Sequence, residues 1–243
     1  MKKRLILTCL AAAFLGPEEA TAQTMAVLTN SNQLVTISDI AHPDSSSSRM
    51  PITGLDTGQT IVSIDQRPHT GELYGLGYNI STNEARLYAI NMLSGATTAL
   101  SSTATLMLGT SQSISMDFSP TEDVVRVVGE NGMNYRLDPL TGNIIATDDS
   151  IKYASGDINS GIFPHIGAIA YTNSYMGAGS SEIYAYDKAL NMIVGINPDS
   201  LGTLHTVGSS GINLNPAYAT AGMDIYLKPT AMTNIAYLAA NID

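Results

Sequence analysis

Three aspartates recur at matched points along the 243-residue chain: Asp65 in IVSIDQRP, Asp117 in ISMDFSP and Asp224 in GMDIYLKP. A proline follows each within three to five residues, and a fourth point of the series carries Ala170 in IGAIAYTN. Carboxylates that a repeat could bring together are hard oxygen donors, the set that suits calcium or magnesium. Asp ahead of Pro also serves a turn, where the carboxylate accepts backbone amides and Pro fixes φ. Asp65, Asp117 and Asp224 are therefore the candidate metal ligands, with calcium as the candidate ion. Turn capping is the role the sequence favours for them.

Other chemistry is thinner. Asp157-Ile158-Asn159-Ser160-Gly161 opens like a calcium loop but has no downstream glutamate at the required distance. His42, His69, His165 and His205 stand at no ligand spacing, whereas zinc needs three or four converging groups. Gly75 and Gly77 lack the third glycine and the following helix of a dinucleotide fingerprint. Tyr184 and Tyr186, two apart on one strand, share a face and could offer a sugar or peptide an amphipathic platform, although ordinary packing within the blade is the role the sequence favours for them. The sequence contains no nucleophile elbow, phosphate loop or H-E-x-x-H motif. It assigns no catalytic residue and implies no cofactor beyond a possible calcium ion.

The elements that must position these residues are short runs rich in Ile, Val, Leu, Tyr and Thr, punctuated by Gly, Pro, Asn, Asp and Ser. Strands are expected at residues 33–38, 61–65, 72–77, 85–91, 124–129, 134–138 and 182–187. Residues 186–194 read as two strands joined by a turn at 188–191. The aspartate series is spaced by 52, 53 and 54 residues. With four short strands per unit, that period predicts an all-β propeller of four-stranded antiparallel blades. The expected repeat units are about 25–60, 61–112, 113–165, 166–220 and 221–243, giving four to five blades with the last incomplete. The first unit lacks an opening strand. In each D-x-x-P turn, Pro ends the strand and, at position 71, Gly takes the left-handed conformation.

The chain is 44% hydrophobic, 13% charged and has a net charge of -10, a composition for folding rather than disorder. So acidic a balance argues against nucleic-acid binding, which relies on clustered Lys and Arg. Lys2, Lys3 and Arg4 precede an apolar run from Leu5 to Gly16, and Ala20-Thr21-Ala22 is a small-residue cleavage site. Residues 1–22 thus read as a bacterial-type signal peptide, too short to span a bilayer. Residues 23–243 would form a single exported domain, periplasmic or extracellular. The only cysteine, Cys9, lies within that signal, so the processed chain would have neither disulfides nor thiolate chemistry.

The phrases MAVLTNSNQLVTIS, PITGLDTGQTIVSIDQRPHTGELYGLG, RLYAINMLSGATT, DFSPTEDVVRVVGENGMNYRLDPLTGNIIATD, AYTN and GTLHTVGSSGINL resemble the secreted bacterial domain-of-unknown-function family numbered 4394. The resemblance covers nearly all of residues 25–230. It implies a β-propeller and assigns no activity or functional residue. Members usually continue beyond the position of Asn241 with another Leu-Tyr-x-Ile-Asn strand and a TG turn. Three functions are compatible with these readings. The first is a non-catalytic exported propeller binding a protein, a carbohydrate or an envelope component. The second is a hydrolase or lactonase with a cation in the central channel. The third is a structural surface or matrix module.

Overall fold

Short alternating apolar strands bury one face only by stacking sheet on sheet, and the chain does this around a ring. A computed structural model describes residues 9–15, 24–40, 42–110, 113–197, 201–212, 214 and 220–240. The first blade is β1 (Cys9–Leu15), β2 (Thr24–Thr29), β3 (Gln33–Ile37) and β4 (Ser47–Pro51), with one helical turn, α1 (Pro43–Ser46), before β4. The second is β5 (Thr60–Gln66), β6 (Leu73–Asn79), β7 (Glu84–Ile90) and β8 (Thr97–Ala99), with β9 (Ala104–Thr105) also paired to β7. The third is β10 (Ile114–Ser119), β11 (Val124–Gly129), β12 (Asn134–Leu137) and β13 (Ile144–Thr147). In the fourth, β15 (Ile166–Tyr171), β16 (Ile183–Asp187), β17 (Met192–Ile196) and β18 (Thr203–Ser209) follow β14 (Lys152–Tyr153), which pairs in parallel with the outer β18. A hairpin of β19 (Ala221–Lys228) and β20 (Thr233–Ala240) completes the ring.

The expected strands appear within a residue or two of their bounds, and residues 188–191 form the turn between β16 and β17. The protein is therefore a propeller of four blades with a two-stranded hairpin. The inner strands pack in sequence, β1 on β5, β5 on β10, β10 on β15, β15 on β19 and β19 back on β1. One feature differs from the sequence reading. The opening strand missing from the first unit is supplied by Cys9–Leu15, inside the segment read as a signal peptide, paired antiparallel with β2. At the C-terminal end, β19 and β20 are the first two strands of the incomplete unit expected from residue 221 onward.

Apolar clusters fill the seams between blades. Leu28, Ile61, Leu76, Tyr88, Phe118 and Val127 belong to one that spans the first three blades, and Val128, Ile169, Ala185 and Val194 to one joining the third and fourth. Gly75 and Gly77 are packing residues: a Cβ at Gly75 would strike Ile90 Cδ1 at 2.7 Å, and one at Gly77 would strike Gln59 Oε1 at 2.6 Å. Turn tips also dock on the preceding blade. Gly95 has φ +71°, and its carbonyl accepts the Thr53 amide at 3.1 Å. A Cβ at Gly95 would drive into the Pro51 carbonyl oxygen.

Gly95→Ala should therefore lower the urea midpoint by about 1–3 kcal/mol equivalent, through a strained φ and a backbone clash. Gly156→Ala, where no heavy atom lies within 4 Å of the new Cβ, should leave the midpoint nearly unchanged.

Candidate metal centre

The three repeat aspartates lie on inner strands, Asp65 on β5, Asp117 on β10 and Asp224 on β19, and inner strands converge on the ring axis. One carboxylate oxygen from each lies within 4.8 Å of the others. Oxygens bound to a single calcium ion at about 2.4 Å can be at most about 4.8 Å apart, so the three could share one ion. The residues are 4%, 3% and 5% exposed. This is the one group of three or more His, Cys, Asp or Glu side chains with such geometry among the described residues.

Asp65 and Asp117 bond across the seam between blades. Asp65 Oδ1 accepts the Gln66 amide at 2.7 Å, and its Oδ2 accepts the amide of Phe118, on the next blade's inner strand, at 2.8 Å. Asp117 Oδ1 repeats the inter-blade bond with the Tyr171 amide at 3.4 Å. Two residues earlier on the same strands, Ser63 Oγ accepts the Met116 amide and Ser115 Oγ the Ile169 amide, both at 2.9 Å. Each S-x-D segment is thus a latch onto the following blade. The turn caps lie elsewhere: Asn91 Oδ1 accepts the amides of Leu93 and Ser94, and Asp138 Oδ1 those of Leu140 and Thr141. The serines were missed in the sequence, although Ser63 and Ser115 stand two residues before the aspartate in successive repeats.

Burial, and next the charge of Asp224, hold the Asp65 carboxyl well above the usual carboxylate range. For Asp117, burial acts first and the charges of Asp65 and Asp224 follow. On the same sheet face Arg126, the register partner of Asp117, is fully buried. It donates to Tyr171 Oη at 2.7 Å, Asn134 Oδ1 at 2.6 Å and Asp148 Oδ2 at 2.9 Å.

The other sequence candidates are dispersed. Asp157 accepts from the Asn159 amide at 2.8 Å and from the amide and hydroxyl of Thr206 at 2.6 and 2.7 Å. Burial raises its carboxyl, but these donors outweigh it and hold the group below its usual range, so the loop is fastened to β18. His42 bonds Asp39 at 2.7 Å, His69 lies 3.5 Å from Asp123 and His165 lies 3.4 Å from Glu130, while the His205 ring packs over Gly195. Tyr186 is wholly buried and donates to Asn191 Oδ1 at 2.6 Å. The tyrosine platform therefore reduces to Tyr184, whose hydroxyl donates to Glu182 Oε2 at 2.7 Å.

Among the described residues no helix is long and apolar enough to cross a membrane, and among curated proteins no sequence matches the chain. Among solved structures, Myxococcus xanthus glutaminyl cyclase is similar, with a TM-score of 0.55 at 12% identity, covering 97% of this chain and 88% of that one. An auxiliary nutrient binding protein from Bacteroides ovatus gives a TM-score of 0.49 at 12% identity, covering 82% of this chain and 46% of that one. Citrobacter koseri AztD gives 0.40 at 14% identity, covering 84% and 48%. This chain spans about half the length of the last two. At these identities the cyclase likeness is one of fold. The family described as a domain of unknown function (DUF4394) matches residues 33–243, and the chain belongs to that family.

Proposed function

We propose that the protein is a non-catalytic propeller acting as a binding module, with Asp65, Asp117 and Asp224 holding a calcium-class cation as a structural staple at the ring axis. The observation that carries this reading is the burial of three carboxylates within 4.8 Å of one another. Like charges so close ionise together only when a counter-charge offsets their repulsion and desolvation. A hard divalent cation supplies it through oxygen ligands alone. Without the ion, the cluster retains protons.

A hydrolase or lactonase built on the same ion needs a coordination position open to water or substrate. The burial of the triad supports a closed, structural ion instead. Contact with other molecules then falls to the blade loops, which suits recognition of a protein, a carbohydrate or an envelope component. The cyclase likeness supports the propeller scaffold alone, since one fold hosts many functions.

The melting temperature of the purified protein in EDTA and in excess calcium tests the staple. At a free calcium concentration 100 times Kd, stability should rise by about 2.7 kcal/mol, and Asp224→Asn should remove most of that rise. No calcium-dependent rise would overturn the ion. Ester or lactone turnover by the calcium-loaded protein, lost in Asp117→Asn, would overturn the non-catalytic assignment.

The titration has a defined sign. The folded Asp65 and Asp117 groups bind protons more tightly than in the unfolded chain, so their contribution is fully present below about pH 4 and is lost as pH rises through their folded values. In EDTA, Asp117→Asn should gain stability relative to the parent progressively as pH rises above about 4, read as the difference in urea midpoints. A difference constant with pH would contradict a strained carboxylate cluster.

A further inference from the structure

A polar cleft of about 310 Å³ opens where the connection from β15 to β16 meets β20, lined by Thr172, Asn173, Ser180, Ser181, Glu182 and Asn234. Its position follows from an irregularity of the ring. The inner strand β15 carries Ala168 and Ala170 where the two preceding blades carry Ser and Asp, so at those two positions it has no side chain that can accept an amide from β19. This seam is packed by small apolar residues, Ala168 and Ala170 against Ala221, Met223 and Ile225. Polar contact across it moves to the strand ends. The Asn173 amide donates to Asn234 Oδ1 at 2.9 Å, and Asn234 Nδ2 donates back to Asn173 Oδ1 at 3.0 Å.

The walls are held in place before any ligand arrives. Asn173 Nδ2 donates to the Ser180 carbonyl at 3.0 Å. Thr172 Oγ1 accepts the Glu182 amide at 2.8 Å, and Ser181 Oγ donates to the Thr172 carbonyl at 2.6 Å. Glu182 Oε2 accepts the Tyr184 hydroxyl, which fixes the carboxylate. A carboxamide has two donor hydrogens and two acceptor sites and a carboxylate about four acceptor sites, so Asn173, Asn234 and Glu182 retain bonding capacity beyond these contacts. The lining combines amides, hydroxyls and one carboxylate, with no cationic side chain. Neighbouring hydroxyls, each both donor and acceptor, match such a wall. An acidic ligand would meet Glu182 in a chain of net charge -10. The volume falls at the lower end of small-molecule sites.

We infer that this cleft binds a hydroxyl-rich saccharide without acidic groups, neutral or amino-bearing. The inference rests on the binding-module reading and names its ligand class and site. The test is retention of the full-length protein on an array of neutral, hexosamine-containing and uronic-acid oligosaccharides. Retention of the first two classes is expected. Asn234→Ala and Glu182→Ala should each weaken it about tenfold, the scale of one lost charge-assisted or paired hydrogen bond. Leu93→Ser, at an exposed turn tip of the second blade, should leave it unchanged, and melting temperatures establish that every variant is folded. No retention, retention of uronic acids alone, or retention indifferent to both cleft substitutions would each overturn the inference. A calcium-dependent melting shift that survives such an outcome would leave the stapled propeller standing and remove only its saccharide ligand.

Discussion

The ring depends on side-chain acceptors on one inner strand meeting backbone amides of the next. An inner strand pairs with its own blade on one edge only, so stacking blades around an axis must satisfy the polar groups left at the centre. Ser63 with Asp65, and Ser115 with Asp117, do this with single atoms aimed across the seam. A bond to a charged acceptor contributes about 1.5–3 kcal/mol and a neutral one about 1 kcal/mol, so each latch is comparable to a well-packed core side chain. The latch also sets register, because it is satisfied only when matching residues of successive repeats are level.

The same device creates the tension at the axis. A carboxylate is the stronger acceptor, yet its repetition around a ring places like charges together out of water. Two of the four repeats that follow the first blade carry both Ser and Asp at the latch positions, one carries Asp224 after Gly222, and one carries neither. Ala170 in place of a fourth acid removes a charge from the axis and an acceptor from the seam. The lost bond is offset by close apolar packing around Ala168 and Ala170 and by the Asn173–Asn234 pair. The polar cleft therefore stands at the seam without the inner latch.

Much of this was legible in the sequence because the repeat carries its own alignment. Strand bounds, the turn at residues 188–191 and the equivalence of Asp65, Asp117 and Asp224 follow from period and punctuation alone. The function of those aspartates was not legible, because D-x-x-P satisfies local turn chemistry equally well, and only closure of the ring brings the Phe118 and Tyr171 amides to them. Tyr186 takes the blade-packing role that the sequence favoured for the tyrosine pair, buried in the cluster against which Tyr184 also packs. The cleft left no sequence signal, since Thr172 and Asn234 are 62 residues apart and meet across a seam.

Residues 9–15 show the limit of reading local composition. A continuous apolar run of this length suits the core of an export signal, and it equally suits a strand covered on both faces. The two uses exclude one another within a single molecule: cleavage after Ala22 would remove β1, the strand packed between β19 and β5 and paired along β2. Loss of β1 would leave β2 with an unpaired edge facing the axis, and β19 without the neighbour that joins it to the first blade. Asp224 lies on β19, so the position of one of the three carboxylates depends on what fills that place. Closure of the ring and convergence of the triad are therefore one structural condition.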